Sequence, residues 1–295
     1  MMTIASVRVF APEQWGQVDI FRHFHIGTHS FNSDTKKAIS GITNHFQKAL
    51  TLYELALKLL PNLNLDEEEL LNKGYTGAAN SREFSAVLEE VFTELYSSID
   101  CTRKIIANIY RKTRRLPNST RQLFDRVNNN ILGDDFPTEL KLAISSSDWY
   151  GELLAIRDEL THSDIGNCHL DQKTRLVTYM HVGIRRNGEP LIIDDVLGRI
   201  KILINSVNEF LGSVFHFLNS KLQPVEIDQL CGFFKGRGYL RKLALEFPMD
   251  FNSGICMSHV WFDGDLQFKC PFVGTCGAYE RAKFNAPTPF SGSGS

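Results

Sequence analysis

From Ser33 to Leu222 apolar residues recur at the spacing of helices that each bury one face. In "SDTKKAISGITNHFQKALTLYELALKLL" the positions Ile39, Ile42, His45/Phe46, Leu50, Tyr53, Leu57 and Leu60 fall near one side, and Pro61 closes the segment. A second long helix opens at "NSREF", where Asn80 or Ser81 can cap it, and is expected to run to Pro117. Its apolar positions Phe84, Val87, Leu88, Val91, Leu95, Ile99, Ile105 and Ile109 keep the helical period. "STRQLFDRVNNNIL" reads as a shorter helix ending in a polar Asn run. "SSSDWYGELLAIRDELTHSDIG" begins in a good capping region and continues to about His162, burying Trp149, Leu153, Ile156 and Leu160.

The period then changes. "RLVTYMHVGIRRNGEPLIIDD" reads as a β-hairpin with Asn187-Gly188 as its turn. "DVLGRIKILINSVNEFLGSVFHFLNSKL" returns to helix, capped by Asp194 or Asp195. Ahead of Ser33, the runs "IASVRVF" and "VDIF" suggest a small strand or two. After Pro224 the chain turns rich in glycine and aromatics and holds four of its six cysteines. The expected fold is mainly α: an antiparallel helical bundle with one inserted β-hairpin and a small Cys- and aromatic-rich C-terminal extension. The expected division is a strand and loop segment at 1–32, a helical domain at 33–224 and a cysteine-containing module at 225–290. The ending at 291–295, "SGSGS", resembles an appended flexible linker.

Composition narrows the function classes. The 295 residues carry a formal net charge of -2, so nucleic acid would have to be met by a local basic patch rather than a global field. "MMTIASVRVFAPEQW" has neither a basic start nor a long apolar run, so no secretory signal is expected. The most apolar long segment contains Lys201, Asn205, Asn208 and Glu209, which argues against a bilayer span. Six cysteines dispersed in a long chain do not look like a disulfide framework, and a reduced, cytoplasmic protein is expected.

The candidate chemistry sits in "AIRDELTHSD". Arg157 and His162 lie five residues apart near the end of a helix, about 140° apart around its axis. An imidazole titrates near neutral pH and suits proton transfer, while a guanidinium offers phosphate a permanently charged fork. Asp158 stands four residues before His162, within reach to orient it. The alternative is a solvated face, with Arg157 paired to Glu152 or Asp158 and His162 stabilised at a helix C-terminus. The segment "LLAIRDELTHSD" resembles the R-x4-6-H motif of the HEPN superfamily (higher eukaryotes and prokaryotes nucleotide-binding domains). "FTELYSSIDCTRKII" is similar to that family's long central helix. The resemblance covers roughly residues 33–222 and leaves both ends of the chain unexplained. It implies a HEPN-like bundle and a metal-independent endoribonuclease that dimerises with the motifs facing one cleft. His162 would then be the general acid or base on the ribose 2′-OH and leaving oxygen, Arg157 the phosphate grip and Asp158 the orienter. A 2′,3′-cyclic phosphate would be left. The role implied is that of a toxin or defence effector, held by an antitoxin or regulatory partner. A non-catalytic scaffold that binds nucleotide, RNA or protein is the alternative.

Other constellations qualify this picture. "CTRKIIANIYRKTRRLPNSTRQ" concentrates Arg103, Lys104, Arg111, Lys112, Arg114, Arg115 and Arg121 around Tyr110. Arg111, Lys112, Arg114 and Arg115 form the best candidate RNA-backbone patch, set against a plain solvated helix end. Arg185 and Arg186 make a weaker one. Cys256-x2-His259 and Cys270-x5-Cys276 supply four ligands in zinc-like order, and Cys231 could replace one. The spacing fits no standard knuckle, and free cysteines are often simply buried, so no metal ligand or cofactor is assigned. His23, His25 and His29 in "HFHIGTH" are a further metal candidate, although alternation with Phe fits a strand edge equally well. "GFFKGRG" lacks the Gly-Lys-Ser/Thr ending of a phosphate loop.

Overall fold

Polar residues that the helical period leaves over are what organise the larger part of the molecule. The computed structural model describes residues 8–9, 15–186, 188–234, 237–245, 249–260, 270 and 272–285. It is mainly helical with two antiparallel sheets and divides into two compact units, residues 31–217 and residues 1–30 with 218–295. The N-terminal segment therefore shares a unit with the C-terminal module. Among the described residues, no helix is long and apolar enough to cross a membrane.

In residues 31–217, helices α2 (Ser33–Leu59) and α4 (Ala79–Ile109) run antiparallel, joined through α3 (Leu63–Lys73). Their pairing is read from Thr35 with Asn108, His45 with Glu94 and Lys48 with Glu90. The expected stripe of α2 holds in its first half, where Ile39 and Ile42 are buried. In the second half Ala49 and Ala56 are buried, while Leu57 is exposed. In the first half α4 approaches closely at Gly41, where a Cβ would stand 2.9 Å from Cys101 Sγ. Helix α4 is buried nearly all round, including Ser85, Glu89, Glu94, Ser98 and Thr102. It ends at Ile109 rather than near Pro117. Asp135 draws the chain into turns: its carbonyl accepts from Thr113 Oγ1, its carboxylate accepts from the Arg114 N–H, and Arg115 adopts φ 64°.

Helices α5 (Thr120–Asn128), α6 (Thr138–Ser145), α7 (Tyr150–His162) and α8 (Val196–Asn219) follow, with α3 and α6 absent from the expected pattern. The hairpin is present as β3 (Val177–Arg186) and β4 (Glu189–Ile193), and β2 (Asn167–Leu170) adds a third strand on the other side of β3. Gly188 takes φ 87° as the turn requires, and Asn187 lies outside the described residues. The buried polar face of α4 docks this sheet. Glu89 Oε1 accepts from the Gly166 N–H at 2.5 Å and from Tyr179 Oη at 2.9 Å, and Ser85 Oγ accepts from the Cys168 N–H at 2.9 Å. Burial pushes the Glu89 carboxyl above the usual carboxylate range despite these bonds.

Gly166 closes this contact because a Cβ there would run into the fully buried Tyr179 phenol. Gly166→Ala is therefore expected to cost about 1–3 kcal/mol through overpacking. Denaturant unfolding checks this, and unchanged stability would show that the Tyr179 ring has room to yield.

In the other unit, β1 (Arg8–Val9), β5 (Glu226–Phe234), β6 (Arg237–Ala244) and β7 (Ile255–Cys256) form a sheet in the order β1-β5-β6-β7. Helix α1 (Gln17–Phe24) occupies the "VDIF" run expected as strand, and α9 is Gly277–Asn285. The period of α1 buries Ile20, Phe21 and Phe24 on one face. "HFHIGTH" is not a strand edge either. His23 Nδ1 donates to the Asp19 carbonyl and His25 Nδ1 to that of Phe21, four residues back in each case, at 2.8 and 3.1 Å.

Candidate functional site

Helix α7 holds Arg157 in place because the residues one and two turns before it are locked into the core. Leu153 and Ile156 are fully buried, and Tyr150 stacks on Phe124 with ring centroids 3.6 Å apart. Leu160, expected in the same stripe, is only half-buried. Arg157 follows Tyr150 and Leu153 on the same face at i+7 and i+4, 30% exposed, with its guanidinium 4.8 Å from the centroid of the Tyr96 ring. Nη1 donates to Asp158 Oδ1 at 2.9 Å.

The guanidinium lines a polar cavity of about 320 Å³ bounded also by His45 of α2, Tyr96, Asp100 and Lys104 of α4, and Thr120 of α5. Asp100 organises its floor, accepting from Thr120 Oγ1 at 2.7 Å, Lys104 Nζ at 2.9 Å and Arg103 Nη2 at 3.2 Å. Burial pushes its carboxyl upward, but the Thr120 and Lys104 bonds outweigh this and hold it below the usual range. On the α2 side, His45 Nδ1 lies 2.6 Å from Glu94 Oε2, and Lys48 Nζ donates to Glu94 Oε1 at 2.6 Å. Glu94 is likewise pushed up by burial and held lower on balance by Lys48 and His45. With the imidazole 38% exposed and a carboxylate on its inner nitrogen, His45 has the setting of an oriented acid–base group.

His162 stands apart from this cavity. It is the last residue of α7 and is exposed at the helix end. Asp158, expected to orient His162, gives its carboxylate to Arg157 instead. The guanidinium is a permanent cation within reach of that oxygen. Glu152, the other expected partner of Arg157, is occupied by Arg199 Nε and Nη2 at 2.8 and 3.2 Å. Arg157 and His162 thus share a helix but not a pocket within one chain.

Of the basic patch, Arg111, Lys112, Arg114 and Arg115 are all exposed on the turns after α4, beside a half-buried Tyr110 that packs edge-on against Phe136. Arg103 and Lys104 belong instead to the cavity through Asp100. The apolar spacing of α2 puts His45 on its buried face and assigns no role to Glu94 or Asp100. Their only sequence signal is a polar residue inside a strongly periodic helix.

Among the described residues, no three His, Cys, Asp or Glu side chains form a ready-made metal-holding group. No protein-family model, curated protein or solved structure matches the chain.

Proposed function

We propose that the chain is a metal-independent endoribonuclease of HEPN type, acting as a toxin or defence effector. The observation that carries this reading is Arg157, held by Tyr96 and Asp158 at a polar cavity, with an exposed His162 ending the same helix. In a homodimer with two α7 ends facing, His162 of each copy would move the proton of the ribose 2′-OH while Arg157 neutralises the scissile phosphate. Attack by the 2′-oxygen breaks the phosphorus–oxygen bond to the next nucleotide and leaves a 2′,3′-cyclic phosphate, with no metal in the step. Arg111, Lys112, Arg114 and Arg115 would hold the RNA backbone by charge, and this contact would weaken with salt. An activity of this kind needs restraint in its host, which gives an antitoxin or regulatory partner a place.

A second reading, a scaffold that binds RNA or nucleotide without cleaving it, is favoured by one observation: Asp158, the carboxylate expected to orient His162, is taken by Arg157. Labelled RNA incubated with the full chain in excess EDTA distinguishes them. Cleavage with 2′,3′-cyclic phosphate ends is the expected result. Retention of intact RNA would favour the scaffold, and neither cleavage nor retention would remove both.

The patch prediction is separate. Replacing Arg111, Lys112, Arg114 and Arg115 together by Ser is expected to weaken RNA binding and flatten its salt dependence, with a slope change of up to about one for each phosphate left without its cation. Binding measured over a salt series checks it, and an unchanged slope would return these residues to a solvated turn.

A further inference from the structure

The cysteines of the C-terminal module lie apart in sequence and together in space. Cys276 is buried with Tyr239, Ala278 and Tyr279, and Cys231, Cys256 and Cys270 pack against that same cluster. Each arrives from a different element. Cys231 is the extra residue of a bulge in β5, where the pairing with β6 slips between Leu230 and Gly232. Cys256 ends β7, opposite Arg241 of β6. Cys270 opens a turn in which its carbonyl accepts from the Val273 N–H, and Cys276 caps α9, its carbonyl accepting from the Tyr279 N–H. Cys256 lies near the other three thiols, and Cys270 near those of Cys276 and Cys231.

A second observation points to charge at this place. Arg241 is only 2% exposed, and an arginine stays protonated when buried. Its Nε donates to Cys231 Sγ at 2.9 Å, and Nη1 donates to the carbonyls of Ser253, at 3.1 Å, and Phe251. Among the described residues no carboxylate pairs with it. Among the described residues the guanidinium otherwise meets only the Phe251 ring, 5.3 Å from its centroid, and a buried cation with a thiol, carbonyls and a π-face but no carboxylate is costly. Thiolates would supply the missing negative charge, and a metal is what keeps several buried thiols ionised.

We propose that Cys231, Cys256, Cys270 and Cys276 hold a zinc ion as a tetrathiolate, with Arg241 as its buried counter-charge. Binding breaks four S–H bonds, forms four Zn–S bonds and releases four protons to solvent, with no oxidation. The four thiolates bring the site to a net charge of two minus, which the Nε–H to Cys231 contact partly offsets. Four protein ligands leave no open position, so the ion is structural and ties β5, β7 and α9 together. Four cysteines complete the coordination without His259, a ligand candidate by spacing, whose Nδ1 donates to the Cys256 carbonyl at 3.1 Å. Closing the thiols to about 2.3 Å from the ion takes side-chain rotation from this arrangement.

The test uses the full chain and is independent of any RNA chemistry. Metal analysis after reducing purification in zinc-supplemented medium is expected to give one zinc per chain. His259→Ala should retain it, and Cys231→Ser should lose it. Since that variant could fail to fold, Co²⁺ is also titrated into the demetallated wild-type chain. Sulfur-to-cobalt charge-transfer absorption with tetrahedral d–d bands is expected, and Arg241→Met should weaken Co²⁺ binding about 10–100-fold. Absence of both retained zinc and the charge-transfer band would overturn the proposal. So would zinc loss in His259→Ala, or four cysteines found paired as disulfides under non-reducing thiol titration.

Discussion

His162→Ala is expected to slow RNA cleavage by about 10²- to 10⁴-fold, the usual contribution of a positioned acid or base. Its exposure at the end of α7 means that the fold should be unaffected, with the variant melting as the wild type does. Arg157→Ala should reduce cleavage by at least as much, because on the proposed reading it removes the cation that would face the phosphate. Arg157→Lys should recover only part of the rate, since an ammonium keeps the charge but loses the planar fork. His45→Ala is the informative comparison. His45 and Arg157 line one cavity within a chain, whereas on the proposed reading His162 would meet a second Arg157 only across a pair of chains. If His162→Ala cleaves normally and His45→Ala does not, the acid–base group is His45, held by Glu94, and the chemistry needs no dimer. If both variants cleave at the wild-type rate, neither imidazole serves. Mixing inactive Arg157→Ala with inactive His162→Ala protein sharpens the outcome further. Recovery of activity in the mixture would place complementary residues from two chains in one cleft.

The helical period is legible wherever a helix buries one face. Ile39 and Ile42, Phe84, Leu88, Val91, Leu95, Ile99 and Ile105, and Leu153 with Ile156 are buried as the spacing predicts, while Val87 is half-buried. The hairpin is legible because its turn needs a glycine at positive φ, which Gly188 supplies. The pattern fails where tertiary partners override it. At the end of α2 Ala56 is buried in place of Leu57, and the segment after Ile109 unwinds because Asp135 competes for its backbone. Helix α3 leaves little trace in the pattern since "LNLDEEELLNK" lacks a wide apolar face, with Leu70 and Leu71 both exposed. At the candidate site, Arg157 and His162 can be named from one segment, but the ring of His45, Asp100, Lys104 and Thr120 comes from three helices. No local spacing encodes that assembly.

The N-terminus of α4 shows the same limit energetically. Asn80 and Ser81 read as caps of their own helix, yet α4 begins at Ala79, preceded by Ala78 in the left-handed region with φ 49°. The cap comes from α3. Asp66, buried, accepts from the Asn80 N–H at 3.2 Å and Nδ2 at 2.8 Å through one oxygen. Its other oxygen accepts from the Ser81 N–H and Oγ, both at 2.7 Å. Asp66→Ala strands those donors, and hydrogen bonds to a charged group contribute about 1.5–3 kcal/mol each in isolation. Because the four share one carboxylate whose own desolvation opposes them, a loss of about 3 kcal/mol is expected. Asp66→Asn should cost less at neutral pH, keeping one acceptor oxygen while turning an amide toward the remaining donors. Burial pushes the Asp66 carboxyl upward, but the Asn80 and Ser81 bonds outweigh it and leave the group below its ordinary value of 3.8. A carboxyl lowered on folding contributes stability in full above its unfolded value, and that contribution drains away as pH falls through the folded one. The wild type should therefore lose its advantage over Asp66→Asn on acidification below about pH 4 and hold it at neutral pH. Urea unfolding of both proteins at neutral and acid pH measures the gap. A gap independent of pH would mean that Asp66 acts by shape alone, and the helix would owe its start to something other than a borrowed charge.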